Sequence, residues 1–347
     1  MTRDAAAGAD DPATETPGAT LEVLEAPPIP GLRFRPYRGP DDLPAMAELM
    51  NAAKVADGRN EIVSVEALAN EFDHIDGFVA SRDVVLAEVD QQLVAIGEQR
   101  LVVRDGTRVY DSFGAVRPER RRQGLGRALL RHAERAARLR AEAAGGIQGA
   151  QLGSWAFGET PGTIALLESE GYAVVRWFSE MERTDLDDVP EARLPDGLEL
   201  LPVPADRLRD VLVADWEAFQ DHWGAHPFSE ADVQRILGDP RTDPSLWQVA
   251  WAGEEVAGSV LPAIYPEDNA ASGVERGWLD HISVRRPWRR RGVARALIVA
   301  ALQELRARGM ERASLGVDTA NPTGALGLYE GLGFRAVRRR IAYRKSF

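Results

Sequence analysis

From residue 31 onward, short runs of alternating or continuous apolar residues give way to longer stretches of helical period, and the same succession occurs twice. The pattern predicts a strand at 32–37, a helix at 41–54, a hairpin at 84–89 and 93–103 and a strand at 108–116. A long helix at 124–143, a strand at 149–155, a short helix at 161–169 and a last strand or hairpin complete the first set. The second set reads 198–203, 205–219, 246–251, 255–264, 277–284, 292–308, 313–318 and 322–331, again with a closing strand. Asp90-Gln91 and Gly253-Glu254 supply the hairpin turns. Strands alternating with helices in this way form α/β layers.

The succession is an internal repeat. Gly31-Leu32 matches Gly197-Leu198, and Val89 through Ala95 matches Trp251 through Ala257. Arg121-Arg122-Gln123-Gly124-Leu125-Gly126 matches Arg289-Arg290-Arg291-Gly292-Val293-Ala294, and Gly171-Tyr172 matches Gly333-Phe334. The four offsets, in the same order along the chain, are 166, 162, 168 and 162 residues. Two domains are therefore expected at 31–183 and 197–347, joined by an acidic, proline-containing linker at 184–196. Residues 1–30, rich in Ala, Asp, Thr, Pro and Gly, offer little to a core and are expected to form a disordered tail.

Composition narrows the chemistry. The 347 residues suit two domains, and 44% hydrophobic with 28% charged residues is the balance of a soluble chain. No apolar run approaches the roughly 20 residues of a membrane span, and the start does not read as a secretory signal, which points to the cytoplasm. The absence of cysteine excludes disulfides, thiolate zinc sites and cysteine nucleophiles. His74, His132, His222, His226 and His281 show no metal-ligand spacing, so no metal is expected. A net charge of −12 argues against a nucleic-acid or anionic-membrane partner. Yet Lys54 and Lys345 are the only lysines among 42 basic residues, and the arginines gather in two knots, 117–122 and 285–291.

Each knot lies between a predicted strand and a predicted helix. Gly292 removes a Cβ where a ligand would approach, Ala294 keeps the next turn small, and the helix start presents unpaired amides to an anion. Gly124 and Gly126 repeat the device. It is neither a Walker loop nor a dinucleotide fingerprint. Both halves resemble the GNAT superfamily of N-acetyltransferases, whose pyrophosphate loop reads Gln/Arg-x-x-Gly-x-Gly/Ala. The second half adds Asn321-Pro322 and Gly324 through Phe334, with Tyr329. The likeness covers about 300 residues, and tandem members of the superfamily keep one half catalytic.

The resemblance implies two tandem GNAT-type domains. Each would be a mixed, largely antiparallel sheet with a central splayed parallel strand pair, flanked by helices. It implies acetyl-CoA as co-substrate, held by backbone at Ile282, Ser283 and Val284, by the loop Arg289, Arg290, Arg291, Gly292, Val293 and Ala294, and by Asn321. The amide of Val284 would bond the thioester carbonyl. Tyr329 would protonate the departing thiolate, or else is a packed aromatic. Strand alternation places Asp280 with Ile282 and Val284 on one face, as a base or as a strand-capping carboxylate, and His281 on the other, in a core or surface role. Asp221, His222 and Trp223 would contact the acceptor, or form a helix-ending turn. In the first half, Leu167 stands opposite Tyr329, Glu159 or Thr160 opposite Asn321, and Ser112 opposite Asp280. That half is expected to keep its loop (Arg121, Arg122, Gln123, Gly124, Leu125, Gly126) for acetyl-CoA without catalysing. The expected activity is acetyl transfer to a primary amine of a small molecule. A CoA-sensing scaffold and a protein N-terminal or lysine acetyltransferase are the alternatives, and the oligomeric state is left open.

Overall fold

The alternating runs of the first repeat become β1 (Leu32–Pro36), β2 (Val84–Val89), β3 (Gln92–Arg104), β4 (Thr107–Val116), β5 (Ala150–Phe157) and β6 (Ala173–Arg183). The helical stretches become α1 (Leu43–Ala56), α2 (Val65–Asp73), α3 (Ala80–Asp83), α4 (Leu125–Ala143) and α5 (Pro161–Ser169). The second repeat supplies β7 (Glu199–Leu200), β8 (Gln248–Ala252), β9 (Glu255–Ile264), β10 (Arg276–Val284), β11 (Arg312–Asp318) and β12 (Arg335–Ser346). Its helices are α6 (Leu208–Phe219), α7 (Glu230–Gly238), α8 (Pro266–Ser272), α9 (Val293–Ala307) and α10 (Ala325–Gly331). This computed structural model describes residues 20–104, 106–321 and 324–347.

All strands join one twelve-stranded sheet in the order β1-β2-β3-β4-β5-β12-β6-β11-β10-β9-β8-β7. Among the described residues, β4/β5 and β10/β11 pair in parallel and the other pairs are antiparallel. The last strand of each half lies in the other half's sheet: β12 pairs with β5, and β6 pairs with β11. The two exchanged strands pair with each other, with Phe178 opposite Arg340. These two residues are 162 apart, the offset of the closing repeat anchor, so the internal two-fold axis passes through this pair. Apolar burial commits the exchange. Met181 of β6 joins the cluster of α9, β10 and β11, whereas Ile341 and Tyr343 of β12 join that of α4 and β5. Arg344 on Asp111 (3.2 Å) and Lys345 on Glu134 (2.9 Å) fasten the same strand to the first half.

Two segments differ from expectation. Residues 20–30 are not loose: Leu21 donates its amide to the Phe34 carbonyl at 2.7 Å, and Val23 is buried among β1, β2 and α4 residues. Residues 1–19 lie outside the described residues. The segment 184–196 is not a free linker either, because Leu186 is buried in the core of the second half, with Val189 and Leu194 packed on it. Both segments are mostly polar or proline-rich, but each carries a few apolar residues that find a groove. Among the described residues, no helix is long and apolar enough to cross a membrane.

Candidate active site

The site is created by a defect in β10. Leu279 pairs with Pro262 of β9 and His281 with Leu261, leaving Asp280 as an extra residue without a partner. A bulge of this kind bends its strand and breaks the two-residue alternation. The parallel ladder with β11 stops at Trp278 opposite Ser314, and the strands diverge beyond it. The bulge corrects the alternation expected for this strand. Asp280 and His281, placed on opposite faces by simple counting, both line the cleft that opens there.

This cleft of about 340 Å³ gathers Tyr329 from α10, Asn321 from the turn after β11, and Asp280, His281 and Ile282 from β10. Trp216 and Phe219 of α6, with Gln220 and residues 222–226 that follow it, form one wall; Phe178 of the exchanged β6 contributes to another. His222 and Trp223 therefore line the cleft as expected. Asp221 does not: its carboxylate receives Arg289 at 2.6 Å and Arg286 at 3.0 Å. These two hydrogen bonds hold the Asp221 carboxyl far below the usual carboxylate range. It ties the arginine loop to the end of α6 rather than facing an acceptor. Trp223 packs on Trp155 and Phe178, with ring centroids at 6.3 and 5.9 Å, so the first half shapes this wall.

Sequence reasoning missed three groups. Asp215 of α6 is fully buried and accepts from, or shares a proton with, Nδ1 of His281 at 2.7 Å. Asp318, which also lines the cleft, is held by Arg176 of β6 through bonds of 2.9 and 3.0 Å. Trp216 closes the apolar side. Asp215 lies six residues before Asp221 on a helix, and nothing in its local spacing signals that it meets a strand 66 residues away.

Burial pushes the Tyr329 hydroxyl up to about 12, so it remains a proton donor across the neutral range. Asp280 sits deep in the cleft yet open to it. That depth raises its carboxyl, against the opposing bond from the Tyr265 hydroxyl and the charge of His281. For His281, burial acts downward. The charge and hydrogen bond of Asp215, with help from Asp280, outweigh it, and the imidazole titrates above its ordinary range.

Next to the cleft, the arginine loop forms a backbone cradle. Arg290 (φ 62°) and Gly292 (φ 88°) are both left-handed, and alternation of this type turns successive amides toward one side. Among the described residues no side chain caps α9, and a Cβ on Gly292 would meet nothing within 4 Å, which leaves the start of the helix open. That arrangement fits a pyrophosphate. Arg289 is not a free ligand for it. Its guanidinium is used on Asp221, on the Ala218 carbonyl (3.0 Å) and on the Val284 carbonyl (2.8 Å). Arg290 and Arg291 are exposed, while Val293 is buried, so this position and Ala294 offer backbone only. The Ser283 hydroxyl turns away to Ser259, 3.1 Å off, and leaves only its backbone for a ligand. Among the described residues, no group of three His, Asp or Glu could hold a metal ion.

The first half repeats the loop bond for bond. Arg121 reaches Asp57 (2.6 Å), the Ala53 carbonyl (3.0 Å) and the Val116 carbonyl (3.4 Å), and Arg122 and Gly124 have φ of 63° and 91°. Gln123 bonds the Glu119 carbonyl, Leu125 is buried, and Gly126 packs near Leu166. Here, however, a Cβ on Gly124 would meet Pro27 at 3.3 Å. β4 has no bulge, and its ladder with β5 continues to Ser112 opposite Ser154.

The chain has counterparts among known proteins. Residues 207–334 match the model of the acetyltransferase (GNAT) family, and residues 80–174 match that of an acetyltransferase (GNAT) domain. A mycothiol acetyltransferase of Salinispora tropica is 31% identical over 232 residues, covering 66% of this chain and 71% of that protein. The chain belongs to the GNAT acetyltransferase family. This acetyltransferase is also 27% identical over 311 residues to a mycothiol acetyltransferase of Geodermatophilus obscurus, covering 88% of this chain and 95% of that one. The crystal structure of a GCN5-related N-acetyltransferase from Sphaerobacter thermophilus superimposes with a TM-score of 0.67 at 27% identity, covering 90% of this chain and 95% of that chain. The enzyme is an acetyl-CoA-dependent N-acetyltransferase, a tandem member of its family.

Proposed function

We propose that the enzyme acetylates the primary amine of a small molecule, with the chemistry confined to residues 197–347. The observation that carries this reading is the convergence of Tyr329, Asn321, Asp280 and His281 in the cleft beside the Gly292 cradle. The first half has leucine in place of Tyr329 and no asparagine in place of Asn321, and its unbulged β4 has no counterpart of Asp280. A volume near 340 Å³ lies at the small end of the roughly 300–1,000 Å³ range of small-molecule sites.

Acetyl-CoA supplies an activated thioester. Amides of 290–294 hold its pyrophosphate, backbone at Ile282, Ser283 and Val284 holds the arm, and Asn321 steadies it from the β11 side. The Val284 amide faces the thioester oxygen as negative charge grows there. Asp280 and His281 face the acceptor, whose ammonium must lose a proton, and carboxylates at this depth favour a cationic amine. Tyr329 gives its proton to the departing sulfur. Holding both reactants in line supplies much of the rate. Since Pro27 lies against the first loop and β4 has no bulge, one acetyl-CoA per chain is expected instead of two.

Thiol release on mixing with acetyl-CoA and a panel of primary amines tests the reading. A mycothiol-related amine comes first because relatives carry that name. Release with small amines supports it. No release across the panel turns the reading toward a CoA-binding scaffold, and release only with peptides turns it toward protein acetylation.

A further inference from the structure

We infer that His281, held by the buried Asp215, is the group that takes the proton from the acceptor amine. This rests on the amine-acetylation reading of the same cleft. Four observations converge. First, the Asp280 bulge turns His281 into the cleft instead of away from it. Second, Nδ1 faces Oδ2 of Asp215 at 2.7 Å, which fixes the ring and its tautomer. Nε2 is then the nitrogen that carries the lone pair, and among the described residues it has no hydrogen-bond partner. Third, Asp215 is fully buried, and its Oδ1 has no partner among the described residues. A carboxylate committed to one imidazole in this way is costly in a core unless the pair works as a unit. Trp216 and Phe219, with ring centroids 6.4 and 5.6 Å from that of His281, hold the imidazole between them and exclude water from the bond. Fourth, Asp280, the alternative, already accepts the Tyr265 hydroxyl.

The repeat supplies an internal control. Ala218 and Ala53 occupy the same position against the loop arginine, an offset of 165, which sets Asp215 against Met50. The offset of 168 from the loops sets His281 against Phe113. Both members of the pair are therefore absent together from the half whose corresponding strand, β4, has no bulge.

Proton and electron flow close as follows. Nε2 takes one proton from the ammonium and passes it to solvent. The freed nitrogen lone pair forms the C–N bond as the C–S bond breaks. Tyr329 protonates the sulfur and regains its proton from the second amine hydrogen. His281 is the catalytic residue here, and Asp215 is a positioning residue. The charged and titratable groups that face the imidazole are Asp215 on α6, Asp280 beside it on β10 and Arg235 on α7, while His222 and His226 line the same cleft.

The test is the pH profile of kcat/KM for thiol release with the fastest amine of the panel, alongside an NMR titration of the His281 ring in the full chain. Wild type is expected to show an activity limb rising with pH at the His281 midpoint. His281→Gln should lose about 10²- to 10³-fold and the limb with it. Asp215→Asn should lose at least about tenfold and move both the limb and the NMR midpoint down by about one pH unit. Acetyl-CoA affinity, unchanged in both, verifies the fold. A His281→Gln variant that keeps the wild-type limb, or an Asp280→Asn variant that loses more than His281→Gln, overturns the assignment. So does an Asp215→Asn midpoint that stays in place. Wild type with no turnover of any amine brings down the acetylation reading and this one together. Turnover that is indifferent to His281 brings down only this one.

Discussion

The arginine-glycine loops of the two halves share the same hydrogen bonds, the same left-handed residues and the same uncapped helix start, yet they open onto different surroundings. Gly292 faces empty space beside a cleft, whereas Gly124 faces Pro27 beside a strand without a bulge. The cradles are alike, and their surroundings are not. What separates the halves is a single inserted residue in β10 and a few side chains at its opening. The comparison also shows why the loop survives where it serves no cleft. Arg121 bonds two carbonyls and a carboxylate, linking the end of β4 to α1, and removing it would break that link.

The sharpest way to break the comparison is Tyr329→Phe, which should lower kcat for thiol release by about 10²-fold or more, while Leu167→Tyr in the first half brings no gain. Next is Gly292→Val. A β-branched residue at φ 88° costs about 1–3 kcal/mol and fills the cradle, so calorimetry should show acetyl-CoA affinity reduced about tenfold to a hundredfold. Gly124→Val should cost stability alone, with binding still at one equivalent; a second equivalent in the wild type would erase the distinction drawn here. Val23→Ala probes the segment that covers the first loop. It should lower stability by about 2 kcal/mol in urea melts and leave donor binding unchanged.

The smallest effect concerns pH. The folded pKa of Asp221 is depressed, so its contribution to stability is complete above the unfolded value near pH 4 and is lost as pH falls through the folded one. Asp221→Asn should thus be less stable than wild type at pH 7, and the gap should narrow below about pH 4, as followed by denaturant midpoints.

Much of this was legible in the sequence, because strands, helices and cradle all depend on local pattern. The hairpins, the long helices after each loop and the glycine positions follow from period and turn chemistry. Helix α7 was legible too and went unread: Ser229 and Asp232 form a capping box at its start. The bulge left one mark, the three-residue step from Leu279 to Ile282 in a pattern that otherwise alternates, and that step alone does not say which residue turns into a cleft. The bulge alone moved His281 from bystander to cleft. The Asp215–His281 bond and the destination of β6 and β12 depend on contacts between distant segments, which periodicity does not encode. Residues 20–30 were misread for a related reason, since one buried valine is enough to dock a proline-rich segment.

The exchange of β6 and β12 sets the order in which this chain completes itself. During synthesis, β5 exposes an edge, and β6 lacks its neighbours on both sides, until residues 312–346 exist. The first half thus waits on the last strand for closure. Pairings across some 190 residues, such as Ser346 with Gln151, make for slow folding and one cooperative unit. A cut in 184–196 would not release two domains, because each would carry the other's strand. The molecule has the architecture of a strand-swapped dimer whose two subunits share one chain, each half completing the other's sheet.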